Sequence, residues 1–204
     1  MTILRMTTAG GITSATRYAT MLAGNEAYVP GDFVSIATAS GNGSGTSVTF
    51  SNIPQTFKHL QLRSFAKTAN AAAYDVLYLY NYDGTLSNTN SAYHGFYGTG
   101  SAVGTTSGTA GFSGGVAYIP AANSGANIFG TSIVDIVDYS STIKNKTIRA
   151  VSGFDDNTVT SGNINLYLGS VLPVALGTTA ITSLTIVTNG AINSNSRFAL
   201  YGIK

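Results

Sequence analysis

The chain has no cysteine, so disulfides and thiolate metal sites are excluded, and stability must come from burial and from pairing with other chains. Charge is scarce as well. Asp, Glu, Lys and Arg make up 9% of the 204 residues, against about 25% in an average soluble domain, so the polar surface falls to Ser, Thr, Asn and Gly. Scarce charge beside so many Val, Ile, Leu, Tyr and Phe residues argues against intrinsic disorder. The formal net charge of +2 gathers into no basic run, and no nucleic-acid partner is expected. No stretch nears the ~20 apolar residues of a membrane span. The opening "MTILRMTTAGG" lacks an apolar run of signal-peptide length. Synthesis in the cytoplasm, with no membrane insertion, is the expectation.

What is there reads as β-structure behind a short leader. Residues 1 to about 30 form an N-terminal extension, and residues 31–204 form one domain large enough for a substantial core. In the extension, Ala15, Tyr18, Ala19 and Leu22 share a helical face, with Ser14 to cap the start and Gly24 to stop it. A helix of about nine residues is not stable alone, so it must pack on its own domain, a sister chain or a docking partner. Downstream, short alternating runs such as "FVSIATA", "HLQLRSFA", "YDVLYLYN", "GGVAYIP", "KTIRAVSGF" and "RFALYGIK" recur between turn-rich spacers. Leu60 and Leu62 alternate with Gln61 and Arg63, which is the period of a sheet with one buried face. Asp83-Gly84 suits a tight hairpin. About ten strands point to an all-β fold, an antiparallel two-sheet β-sandwich of jelly-roll type. The segment from Gly98 to Gly115 is the least apolar part of the domain and reads as a long surface loop.

Few residues could carry chemistry. Gly111-Phe112-Ser113-Gly114-Gly115 matches the esterase elbow formally, but lacks the strand before and helix after the Ser that the elbow needs. Asp135 and Asp138 are three apart, so a regular strand sends them to opposite faces, and they could meet as a pair for glycan hydrolysis only across a bulge. Asp155 and Asp156 sit in an expected turn, without the Gly and distal Glu of a calcium loop. His59 and His94 are the only histidines, too few for a metal constellation. In "SNIPQTFKHLQLRS" (Ser51 to Ser64), alternation sets His59, Gln61 and Arg63 opposite Lys58, Leu60 and Leu62, and no acid stands nearby to complete a relay. No catalytic residue, metal or cofactor is expected. Tyr93, His94, Phe96 and Tyr97 cluster with glycines in "SAYHGFYGTG" and are the candidate receptor-contacting residues, since such rings can stack on sugars. Their alternative role is to cover the end of the sandwich or an inter-subunit seam.

Four stretches taken together carry a resemblance: "SVTFSNIPQTFKHLQLRSFAKT", "AYHGFYGTGS", "ANIFGTSIVDIVDYSSTIKNKTIRAVSGFD" and "SRFALYGIK". In that order, from about Gly31 to Lys204, the chain resembles a β-sandwich module of tailed-bacteriophage virion structural proteins, especially tail fibre-like proteins of aquatic phages. The resemblance implies a virion protein assembled in the host cytoplasm. It would be a tail fibre or tail-tip component that docks through its N-terminus to tail or baseplate proteins and displays the sandwich for attachment to the host surface. Its implied partners are copies of itself, as a trimer, and a host surface glycan. The alternative is a capsid decoration protein clamping the major capsid protein. A carbohydrate-active enzyme on host glycans is the third reading, from a different class.

Overall fold

The computed structural model describes residues 32–80, 92–98, 102–109, 115–155, 162–171 and 178–204, together with the pairs 7–8 and 11–12. The chain divides into two units, Met1–Gly31 and Asp32–Lys204. In the first, β1 (Thr7–Thr8) pairs antiparallel with β2 (Gly11–Ile12). The expected helix around Ser14 to Gly24, and the Asp83-Gly84 hairpin, lie outside the described residues.

The second unit is built entirely of strands among the described residues: β3 (Phe33–Ser40), β4 (Ser47–Phe50), β5 (His59–Ala66), β6 (Tyr74–Tyr80), β7 (Ala92–Gly98), β8 (Val103–Thr109), β9 (Ala117–Pro120), β10 (Gly130–Val137), β11 (Lys146–Asp155), β12 (Gly162–Val171), β13 (Leu184–Val187) and β14 (Arg197–Ile203). All pairings are antiparallel. One sheet runs β3-β14-β5-β10-β11-β12-β7-β8, and the other β4-β13-β6-β9. Without the hairpins β7–β8 and β11–β12, eight strands remain. In chain order the first, eighth, third and sixth form one sheet, and the second, seventh, fourth and fifth the other. That interleaving is the jelly-roll wrap. The two hairpins are insertions, and both extend the first sheet beyond β10.

The alternation expected from sequence places the core. Leu60 and Leu62 of β5, Val134 and Ile136 of β10, and Phe198 and Leu200 of β14 are buried against Leu77, Leu79, Ile119, Leu184 and Ile186 of the smaller sheet. Fully burying side chains of this kind contributes about 1.5–3 kcal/mol each. Two buried polar clasps lock the loops. Asp75, 1% exposed, accepts from Thr68 Oγ1, the backbone N–H groups of Val76 and Gly190, and Asn189 Nδ2 at 2.7–2.9 Å. Lys67 Nζ donates to the carbonyls of Ala121, Ser124 and Gly125 at 2.9–3.1 Å.

One expectation is overturned. The supposed Gly98–Gly115 loop contains a strand, for Val103–Thr109 pairs residue by residue with Ala92–Gly98. Backbone hydrogen bonds and β-branched Thr residues form this strand without an apolar stripe to announce it. Its glycines have a steric role: a Cβ on Gly108 would collide with the Tyr93 ring, and one on Gly104 with the Tyr97 ring. Each tyrosine therefore lies flat over a cross-strand glycine, covering backbone that would otherwise meet water. Residues 99–101 and 110–114 lie outside the described residues.

Candidate functional site: the outer face of the eight-stranded sheet

Strand register gathers side chains from both ends of the sequence onto the face turned away from the smaller sheet. One row runs Tyr201, Gln61, Asp135, Arg149. The polar members are joined. Gln61 Nε2 donates to Asp135 Oδ1 at 2.7 Å, and Arg149 brings Nε and Nη2 to Asp135 Oδ2 at 3.2 and 2.7 Å. Arg63 Nε donates to Gln61 Oε1 at 2.8 Å. Its guanidinium carbon stands 4.8 Å from the centre of the Tyr201 ring and 5.5 Å from that of Phe33, within cation–π range.

The stretch Ser51 to Ser64 therefore has acids within reach that its own sequence does not supply. His59, at the head of β5, takes the backbone N–H of Asp138 on Nδ1 at 3.0 Å. The Asp138 carboxylate lies 3.8 Å from the same nitrogen. These two contacts compete for one atom. With Nδ1 accepting the N–H, the carboxylate contact is no hydrogen bond, and Asp138 pairs instead with Lys144 Nζ at 3.2 Å. The expectation that Asp138 faces away from Asp135 fails for a local reason. β10 ends at Val137, and Asp138 adopts φ 53°, a left-handed conformation that Asp tolerates and that ends the alternation. Lys58 is exposed ahead of the strand, and its N–H donates to the Ile203 carbonyl.

The four candidate receptor residues do not form one cluster. All lie on β7, so alternation divides them. His94 and Phe96 are exposed on the outer face, while Tyr93 and Tyr97 turn to the other side over the glycines of β8. Tyr93 also packs against the core, in keeping with the covering role considered for these rings. The elbow match lies outside the described residues except for Gly115, and Asp156 lies outside them too. Asp155 ends β11. Among the described residues, no group of three or more His, Cys, Asp or Glu side chains could hold a metal ion.

Apolar side chains stand exposed on the outer face of β10, β11, β7 and β8. Ile133, Val151 and Phe96 occupy one register row through Leu166, and are 47%, 48% and 52% exposed. Val103, on the edge strand, is 91% exposed. The sequence carried a signal for this exposure. "SIVDIV" and "IRAVSGF" place β-branched apolar residues at positions where a solvated face would carry polar ones. No family model matches the chain, and neither does any curated protein or solved structure.

Proposed function

We propose that the chain is a structural protein of a bacteriophage particle, a tail fibre or tail-tip subunit. It assembles with copies of itself and displays the jelly-roll unit toward the host surface. The reading rests on the sequence resemblance, and one structural observation supports it: Ile133, Val151, Phe96 and Val103 stand exposed on the outer face of β10, β11, β7 and β8. Exposed apolar side chains grouped on one part of a sheet face suit an interaction surface, and the trimeric arrangement is what the resemblance to fibre-like proteins implies. The tied carboxylates are consistent with a non-catalytic role. Asp135 is held by Gln61 and Arg149, and Asp138 by Lys144, so each is fixed as a strut.

Sedimentation of the full chain tests the assembly. The wild type is expected to form a trimer at micromolar concentration, and the double substitution Ile133→Asp, Val151→Asp should release folded monomers. A wild type that stays monomeric at every concentration overturns the reading. Antibody labelling of particles carrying the chain tests its place, with label on the tail expected. Label confined to the head would replace the tail reading with capsid decoration.

A further inference from the structure

The turn between β10 and β11 is hung on one imidazole. β10 ends at Val137, and the chain leaves it through Asp138, whose φ of 53° is a left-handed conformation uncommon outside glycine. His59 supports it, since its Nδ1 accepts the Asp138 N–H at 3.0 Å. The turn beyond is held by local bonds. The Ser141 N–H donates to the Asp138 carbonyl at 3.0 Å. Ser141 Oγ accepts from the N–H groups of Ile143 and Lys144 at 3.3 and 3.1 Å, and Lys144 Nζ reaches Asp138 Oδ2 at 3.2 Å. Both ends of the turn thus close on Asp138, while Ile143 stands 83% exposed between them.

An imidazole nitrogen that accepts a backbone N–H carries a lone pair, so the proton of neutral His59 sits on Nε2. A second proton can go only to Nδ1, and it turns that atom from acceptor into donor. Two N–H groups would then face each other across 3.0 Å, and the hydrogen bond cannot survive. A replacement stands beside it. Asp138 Oδ1 lies 3.8 Å from the same nitrogen, about one ångström beyond a charge-assisted hydrogen bond. The two side chains are 34% and 36% exposed, so solvent can deliver the proton. Among the described residues Asp138 is the one carboxylate that pairs with His59. Asp135 is held by Gln61 and Arg149, and Asp32 meets Lys204 through its backbone carbonyl. The other charged neighbours are cations. Lys58 precedes His59 on its own side, Lys204 follows its register partner Ile203 on β14, and Lys144 and Lys146 approach Asp138 from the turn.

We infer that His59 and Asp138 form an acid-operated switch of the β10–β11 turn. On protonation His59 exchanges the Asp138 backbone N–H for the Asp138 carboxylate. The carboxylate swings to Nδ1 and leaves Lys144, the left-handed conformation of Asp138 loses its support, and the turn carrying Ile143 is rebuilt. At neutral pH the same residues hold the turn closed. The switch goes beyond the assembly reading and does not depend on it.

Nuclear magnetic resonance of the nitrogen-labelled full chain, followed from about pH 8 down to about pH 5 where imidazole gains its proton, supplies the test. The His59 ring should start as the Nε2–H tautomer. As it titrates, the Asp138 and Lys144 amide signals should move with the same midpoint, and protection of the Asp138 N–H from solvent exchange should fall at least tenfold. Signals of Leu60 and Leu62 should stay in place. His59→Asn puts an amide oxygen where Nδ1 was and takes no proton, so it should keep the closed turn and abolish the acid response. Asp138→Asn removes the new partner, so the ring should still titrate and the amide at this position still lose protection, without the Lys144 response. An Asp138 amide that keeps its signal and protection while the ring titrates overturns the inference, as does a ring that gains no proton across this range. An acid response that persists in His59→Asn, or a Lys144 response that persists in Asp138→Asn, likewise overturns it. A chain that sediments only as monomers, with the switch intact, would remove the assembly reading and leave this one standing.

Discussion

The two halves of the eight-stranded sheet share one backbone ladder and differ in what holds and uses them. The half made of β3, β14, β5 and β10 is backed by the smaller sheet, and its inner side chains Leu60, Leu62, Val134, Ile136, Phe198 and Leu200 are fully or almost fully buried. Its outer face is cross-linked by polar groups from Arg63 through Gln61 to Asp135, beside the exposed Phe33, Phe65 and Ile133. The half made of β11, β12, β7 and β8 arrives as two insertions on the free edge of β10. It is tied inward at Ile148, Ala150 and Tyr93 and outward presents Val151, Phe96 and Val103 to solvent. A jelly roll closed at β10 would have left an open edge, which is an aggregation hazard. The insertions move that edge to a short, glycine-interrupted strand and leave an apolar face in exchange. One half packs its inner side chains on the smaller sheet, and the other leaves Val151, Phe96 and Val103 exposed.

The largest effect should come from breaking the clasp that only the jelly-roll half has. Asp75→Asn keeps the side chain's size but turns an amide NH2 toward donors from Thr68, Val76, Asn189 and Gly190. Leaving buried donors unmatched around a lost charge should cost about 2–4 kcal/mol. Urea denaturation followed by tyrosine fluorescence should show a lower midpoint with an unchanged slope. A loss below about 1 kcal/mol would mean that the clasp is not what joins β6 to the loop before β14.

A smaller and more local effect is expected in the added half. Tyr93→Ala removes a ring that packs against the core and covers Gly108, at a cost of about 1–2 kcal/mol, below the range for a fully buried aromatic. Because β8 is an edge strand held by β7 alone, the loss should appear as faster amide hydrogen exchange in β7 and β8. Protection in β5 and β14 should not change. Equal loss of protection in β5 would show that the two halves open as one unit, and would remove the distinction drawn between them.

The same contrast explains how much could be read from sequence. β5, β10, β11 and β14 alternate apolar and polar residues because one face meets the core, and alternation is what a sequence displays. β8 meets no core of its own. Its pairing is set by backbone hydrogen bonds and by tyrosines on another strand, so "VGTTSGT" carries the composition of a loop. The turn of Asp138 toward His59 was equally hidden, since it depends on a single positive φ. The β7 aromatics were visible as a cluster in sequence, but strand alternation parts them.

The smallest expected effect compares two buried lysines, one serving each half. Lys67 braces the 121–125 loop. Lys146 begins β11 and donates to the carbonyls of Ser141, Lys144 and Thr178. Burial pushes both ammonium groups below the usual 10.5, and for Lys146 the nearby Asp138 charge works against that shift. A lysine with a lowered folded value gives up its proton sooner in the folded chain than in the unfolded one. Between that lowered value and 10.5 the unfolded state binds more protons, so stability rises with pH across this interval and is flat below it. Tyr139 acts in the opposite sense. Burial raises its hydroxyl above the usual 10.0, so the unfolded chain ionises first and stability falls as pH passes 10. The denaturation midpoint should therefore climb as pH rises through the lowered lysine values and turn down beyond about 10. Lys67→Met should flatten the climb more than Lys146→Met, because only Lys146 has a carboxylate opposing its shift. Equal flattening by the two substitutions would show that Asp138, committed to Lys144 at 3.2 Å, does not reach Lys146 electrostatically. The difference between the two halves would then lie in packing alone.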